Sequence, residues 1–307
     1  MSTTPHAPAA PATTPPTPPA TPPGSGPVTA PHVPYRLDFS VEVPGTPEQV
    51  WHAIATAEGM SAWFLPTEVE EREGGALRFS MGPAMGSHGR VTRWDPPHRL
   101  VYEEDWADLM GQEPGSVSAL TSEFVVEARS GGTCVVRVTS SGFGTGADWE
   151  PEFWQDMGQS WVPFFDNLRL YLAHFPGRRA TQLEASASHP GDAQALWAVV
   201  REALGLGEEG GAVQVRGCTG TLERLGERQA LVRLSAPVPG MLTASTHADG
   251  EGTATAAVRA YLFAPDPSDP SDPSDPSDPS DPSGAARYVQ REEPAWRAWL
   301  EQLTVPA

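Results

Sequence analysis

Eleven residues between positions 63 and 165 could line a small-molecule site. They are Trp63, Phe64, Phe79, Met81, Trp94, Tyr102, Trp106, Trp154, Met157, Trp161 and Phe165. Large rings and thioethers with few polar atoms among them suit a pocket for an apolar or aromatic ligand. Seven of the ten tryptophans fall between residues 35 and 176, more than the core of such a domain requires. Each of these residues, taken singly, also suits ordinary core packing. Two polar candidates accompany them. His88 lies beside a Met-Gly-rich strand edge, a candidate pocket mouth. Glu104 belongs to the acidic run Glu103-Glu104-Asp105. A carboxyl turned inward among apolar groups has a raised pKa, whereas a solvated edge leaves it ordinary.

Other chemistries lack their residues. The eight histidines include no HxxxH pair, and Cys134 and Cys218 form no CxxC. Neither a metal site nor a disulfide framework is expected. Neither thiol has an activating base nearby in sequence, so both read as inert. Nucleophile-elbow, P-loop, dinucleotide and calcium-loop motifs are absent. No catalytic residue, cofactor or metal is assigned.

The chain has 307 residues, a length suited to two domains. Its 20 basic residues, all Arg, face 39 acidic ones, for a net charge of −19. Such a chain repels phosphate backbones, so nucleic acid is not an expected partner. No apolar run is long enough to span a membrane. No secretory signal is legible at the N-terminus, and a cytoplasmic location is expected. Residues 1–34 hold 12 prolines and no Asp, Glu, Lys or Arg, the composition of a disordered or polyproline arm. Residues 265–283 repeat Ser-Asp-Pro and carry six Asp, which keeps that insert extended.

The elements that must position the eleven residues follow from periodicity. Tyr35 to Val43 alternates as a strand. Thr46-Pro47-Glu48-Gln49 is a capping box that opens a helix through Val50, Trp51, Ile54 and Ala55, ending near Gly59. Strand patterns follow at 76–81, 89–94, 99–104, 118–128 and 133–140, joined by short turns. A long helix from Pro151 to about Phe175 carries a broad aromatic stripe, with Pro163 inside it and a kink expected there. This order predicts an α+β domain over residues 35–176, in which an antiparallel meander grips a long closing helix.

The strand followed by Thr-Pro-Glu-Gln-Val-Trp51, the Ser61-Ala-Trp-Phe64 segment, the run Gly89 to Tyr102 and the closing Gly158-Gln-Ser-Trp161 resemble the SRPBCC (START/Bet v 1-like) superfamily. Within it, residues 35–176 are most similar to the bacterial branch named after the activator of heat-shock protein 90 ATPase. The resemblance implies a helix-grip fold with an internal pocket for a hydrophobic small molecule, and no shared catalytic motif. Pro163 is not part of that pattern.

Residues 183–307, beyond a linker at 177–182, read as a reduced second copy. Gly45 and Trp51 match Gly191 and Trp197 at an offset of 146. Gly89, Arg93, Leu100 and Val101 match Gly220, Arg224, Leu231 and Val232 at 131. Gly132-Thr133 matches Gly252-Thr253 at 120, and Glu150-Pro151 matches Glu293-Pro294 at 143. The copy lacks a counterpart of the Trp63-Phe64 segment. Its closing helix is expected to be short, from Pro294 to about Thr304, too short to cover a full sheet or a large pocket.

Three function classes remain open. The leading one is non-catalytic binding of a hydrophobic or aromatic small molecule in the first domain. The second is a protein-interaction or chaperone-cofactor module, with a homodimer or another protein as partner. The third is a cyclase-like or hydrolase-like enzyme acting on a polyketide-like substrate.

Overall fold

The computed structural model describes residues 33–82, 85–106, 118–144, 150–250, 252–263 and 284–304. The proline arm through residue 32 and the Ser-Asp-Pro insert lie outside the described residues, whereas residues 33 and 34, read as the end of that arm, open the first strand.

The first half runs β1 (Val33–Pro44), α1 (Pro47–Ala55), α2 (Ala57–Ser61), β2 (Thr67–Val69), β3 (Ala76–Ser80), β4 (Gly86–Asp95), β5 (Arg99–Asp105), β6 (Leu120–Arg129), β7 (Thr133–Gly144) and α3 (Glu150–His174). Its seven strands form one antiparallel sheet in the order β1-β7-β6-β5-β4-β3-β2. The second half runs β8 (Ala180–Pro190), α4 (Ala193–Ala203), β9 (Ala212–Val215), β10 (Cys218–Leu225), β11 (Gln229–Ala236), β12 (Gly240–Gly250), β13 (Thr253–Phe263) and α5 (Gly284–Glu301). Its six strands follow the order β8-β13-β12-β11-β10-β9, the same path without β2. In each half the first strand pairs with the last, and a long closing helix follows: an α+β helix-grip fold.

Local chemistry sets the boundaries. Thr46 and Gln49 form the expected reciprocal cap, with the Gln49 N–H donating to Thr46 Oγ1 at 3.4 Å and the Thr46 N–H to Gln49 Oε1 at 2.9 Å. The single helix expected to end near Gly59 is two helices. Thr56 interrupts it in an extended conformation, and its Oγ1 accepts the Gly59 N–H at 2.9 Å to start α2. Helix α3 runs unbroken through Pro163. Strand β8 starts at Ala180, within the span read as linker.

The two halves share geometric details beyond strand order. Gly45 and Gly191 adopt φ of +116° and +120°, a region open to glycine, and donate to the carbonyls of Gly132 and Gly252 at 2.9 and 2.7 Å. The ladder of β4 with β5 shifts register between Val91 and Arg93, and that of β10 with β11 between Leu222 and Arg224, at the expected offset of 131.

Two expectations are corrected. Val91 pairs with Tyr102 and Leu222 with Val232, so β5 aligns with β11 at an offset of 130. Val101 therefore corresponds to Leu231. The match of Leu100 to Leu231 is one residue out of step, and such a slip exchanges the two faces of a strand. The closing helix of the second half starts at Gly284, with Pro294 in its interior. At 1.5 Å per residue its 18 residues span about 27 Å, enough to cross its sheet. Glu293-Pro294 is thus mid-helix and has no equivalence to Glu150-Pro151, which opens α3.

Helix α3 lies between the two sheets. Met157, Trp161, Phe165 and Leu168 belong to the first core. Phe175 stacks on Phe263 of β13 at 4.2 Å, and Tyr171 on Phe263 at 5.8 Å. Leu231, Met241, Tyr261 and Phe263 of the second sheet also belong to the first core. Their strand neighbours Val232, Leu242, Ala260 and Leu262 face α4 and α5. The second sheet is therefore covered on both faces, which is why Ala260 to Phe263 is buried without alternation.

Candidate functional site

Alternation along β5 turns Leu100, Tyr102 and Glu104 to the inner face, toward α3, and leaves Arg99, Val101 and Glu103 outside. Glu104 is 4% exposed. The Ser87 hydroxyl on β4 donates to its Oε1 at 2.5 Å, and the Trp106 indole N–H donates to the same atom at 3.2 Å. Burial raises the Glu104 carboxyl from its ordinary 4.5 to about 7; the two hydrogen bonds pull it partly back. At neutral pH the group is divided between a carboxylic acid that can donate and a carboxylate that can accept.

A second polar chain runs across the same face. Tyr102 hydrogen-bonds Ser122, and Ser122 shares a hydrogen bond with Ser140 at 3.2 Å. Burial and the nearby Glu104 push the Tyr102 phenol well above its usual range, so it remains protonated.

The aromatic residues pack above this face as one interlocked set. The Phe64 ring stacks on Trp161 at 5.4 Å and meets Phe79 edge-on at 5.4 Å. Trp161 also stacks on Phe165 at 5.5 Å, and Phe79 contacts Tyr102 at 5.7 Å. Met157 belongs to the same core. Met81, Trp106 and Trp154 are half-buried where β3 ends, β5 ends and α3 starts. Trp154 stacks on Tyr35 at 5.1 Å, and Met85 is 53% exposed at the same end of the sheet. Glu104 lies between this rim of half-buried residues and the closed aromatic core.

Three expected site residues stand apart from Glu104. His88 is exposed. It follows Ser87 on β4, so its side chain turns to the outer face, opposite Arg78 and Asp105 in register. The inward group at that edge is Ser87. Trp94 packs edge-on against Trp51 of α1 at 5.1 Å, beyond the register shift in β4. Trp63 is fully buried and donates its indole N–H to the Ala53 carbonyl at 2.8 Å, tying α1 to the segment after α2. Phe39, Ser87, Ser122, Phe124 and Ser140 join the site region without having been singled out from sequence. Period-two alternation from Tyr102 and Glu104 points to them once strand pairing is known.

The repeated architecture supplies an internal control. By strand register, Ser87, Tyr102, Glu104, Ser122 and Ser140 correspond to Cys218, Val232, Leu234, Leu242 and Ala260 in the second half. Every hydroxyl or carboxyl of the first set is replaced by an apolar side chain or a thiol. Phe39 and Phe124 correspond to Ala185 and Ala244. The second unit closes over smaller residues and buries Trp296 and Leu300 of α5 against them. Its cleft of about 440 Å³ lies outside the core, beside Trp197, Arg201 and Glu202. The fold therefore forms without the inner polar groups.

Among the described residues no group of three His, Cys, Asp or Glu side chains is placed to hold a metal ion. No described helix is long and apolar enough to cross a membrane.

Residues 44–173 match the model of the family described as Activator of Hsp90 ATPase homolog 1-like protein. No curated protein matches the chain. Among solved structures, protein MLL2253 from Mesorhizobium loti is 18% identical over 46% of this chain and 98% of its own, with a TM-score of 0.40. The Aha1 dimer from Colwellia psychrerythraea is 19% identical over 45% of this chain and 96% of its own, with a TM-score of 0.37. The di-domain ARO/CYC BexL from the BE-7585A biosynthetic pathway is 12% identical over 87% of this chain and 96% of its own, with a TM-score of 0.38. The stretch that carries Glu104, residues 44–173, is thus the part of the chain that is similar to the Activator of Hsp90 ATPase homolog 1-like family.

Proposed function

We propose that the first domain binds an apolar or aromatic small molecule, and that the Glu104 end of its inner sheet face is the binding site. The observation that carries this reading is the buried Ser87–Glu104–Trp106 cluster. Burying a carboxyl in an apolar core opposes folding, and the second unit dispenses with it by using Leu234. A function that needs the group explains its retention. The ligand class follows from the surroundings: a flat ring system to lie against Trp106, Trp154 and Phe79, with an oxygen able to share a hydrogen bond with Glu104. The second unit, with apolar residues at the equivalent positions, is the duplicated and reduced partner of the first and has no such site.

A second reading rests on the same carboxyl. A group titrating near 7 inside an apolar site is suited to general acid–base chemistry of the cyclase or hydrolase kind.

Native mass spectrometry of the chain purified from its own host, followed by denaturing extraction, tests the proposal. A stoichiometric hydrophobic molecule in the wild type, lost in Glu104→Leu, is the expected result. A clean apo mass, or one carrying only a second protein, overturns it. Conversion of the extracted molecule on readdition would move the assignment to the enzyme reading.

A further inference from the structure

The segment after α2 gives its backbone carbonyls to side chains from elsewhere. Helix α2 has only five residues; the Gly59 and Met60 carbonyls at its end accept from the Ala62, Trp63 and Phe64 N–H groups, and the carbonyls that follow turn to side chains. Gln182 Nε2 donates to the Ser61 carbonyl at 2.6 Å, Asn167 Nδ2 to the Trp63 carbonyl at 3.2 Å, and the Tyr261 hydroxyl to the Phe64 carbonyl at 2.8 Å. Gln182 and Tyr261 are cross-strand partners on β8 and β13. Two of the three anchors thus come from the outer face of the second sheet. Tyr261 is fully buried there.

The anchored residue is the hub of the aromatic set. The Phe64 ring contacts Trp63, Phe79, Trp161 and Phe164 at centroid distances of 4.5–5.5 Å. Close-packed rings have little slack, so a displacement of the Phe64 backbone passes to Phe79 and Trp161. Phe79 contacts Tyr102, two residues from Glu104 on the same face of β5.

We infer that the second unit sets the geometry of the ligand site in the first, with Tyr261 as the positioning residue for Phe64. This rests on the small-molecule reading above. It also gives a reduced copy without a site of its own a reason to be kept: its outer face is the support for the pocket wall.

The test uses the full-length chain and the neutral fluorescent probe N-phenyl-1-naphthylamine. Tyr261→Phe removes only the hydroxyl. Tyr171→Phe is the control: its hydroxyl also lies near this interface, accepting the Gly177 N–H at 3.1 Å and donating to the Arg178 carbonyl at 3.3 Å, away from the Phe64 segment. Y261F is expected to weaken probe binding about five- to tenfold and to speed amide hydrogen exchange around residues 62–66, while Y171F stays within about twofold of wild type. Gln182→Met, which removes the Ser61 anchor at similar volume, is expected to act in the same direction and replaces Y261F should that variant not fold. Wild-type affinity in Y261F, or in Q182M where it stands in, overturns the inference alone. Failure of the wild type to bind the probe at all overturns the small-molecule reading, and the inference with it.

Discussion

Ser87 Oγ lies 2.5 Å from Glu104 Oε1 on the inner face of the first sheet, where the second sheet carries Cys218 and Leu234 in the same two places. Burial of the Glu104 carboxyl makes stability depend on pH. Burial holds the Glu104 proton to about 7 in the folded chain, against 4.5 as its ordinary value. Below 4.5 both states are protonated and Glu104 contributes nothing to the slope. As pH rises from 4.5 to about 7, the unfolded state ionises first and stability falls, by about 3 kcal/mol at most; above about 7 the loss is complete. Glu104→Gln is expected to remove this slope and to gain on wild type between pH 5 and pH 8. Urea denaturation at both pH values measures it. A wild-type profile as steep as that of the variant would mean that Glu104 ionises freely in the folded chain.

Trp161 stacks on both Phe64 and Phe165, so its ring is core as well as wall. Trp161→Ala should cost about 3–5 kcal/mol by chemical denaturation. A loss below about 1 kcal/mol would indicate that the ring borders empty space, because little packing would then disappear with it.

The two N-caps are equivalent by position and differ in chemistry. Thr46 caps α1, and Asp192 caps α4 by accepting from the Gln194 and Ala195 N–H groups at 2.8 and 3.0 Å. Thr46→Ala and Asp192→Ala are each expected to cost about 1 kcal/mol. Thermal melts at one pH measure the losses. No change in either variant would remove capping as a determinant of that helix start.

Gly89 and Gly220 occupy matching places before the two register shifts. A Cβ at Gly89 would come 2.1 Å from the Glu103 carbonyl oxygen, and one at Gly220 would come 2.3 Å from that of Arg233. Both contacts are with backbone, so neither strand can yield cheaply. Gly89→Ala and Gly220→Ala should each lose about 1–3 kcal/mol, and neutral behaviour in either would show that the ladder gives way.

Phe263 is held between Tyr171 and Phe175 of α3. Phe263→Ala is expected to lower stability by about 3–5 kcal/mol. Because α3 packs between the two sheets, Trp fluorescence and far-UV circular dichroism should report one cooperative transition in the wild type. Two separate transitions would show that the halves unfold independently.

Much of this organisation was legible along the chain. Periodicity separated β1 and β3 to β7, the capping box placed α1, and the glycine offsets aligned the halves. Glu104 was a candidate because it follows an alternating strand. His88 was a candidate for a similar reason, yet the register between β3 and β4 turns it outward and Ser87 inward. One residue separates the two, and sequence periodicity alone does not say which parity faces the helix. The extent of α5 was missed because Pro294 read as a start, whereas the helix carries it in its interior.

The sequence by itself determined most strands and the closing helix of the first half, and the concentration of aromatic residues there. These follow from local patterns: alternation, caps and turns whose partners lie within a few residues. Only the tertiary structure decided that Glu104 is buried beside Ser87, and that Tyr261 reaches Phe64 from 197 residues away. It also decided that the outer face of the second sheet is core. Those facts depend on which strand faces meet after the chain has closed on itself. No local pattern carries that information, because burial of a side chain is set by what packs on it from elsewhere in the chain.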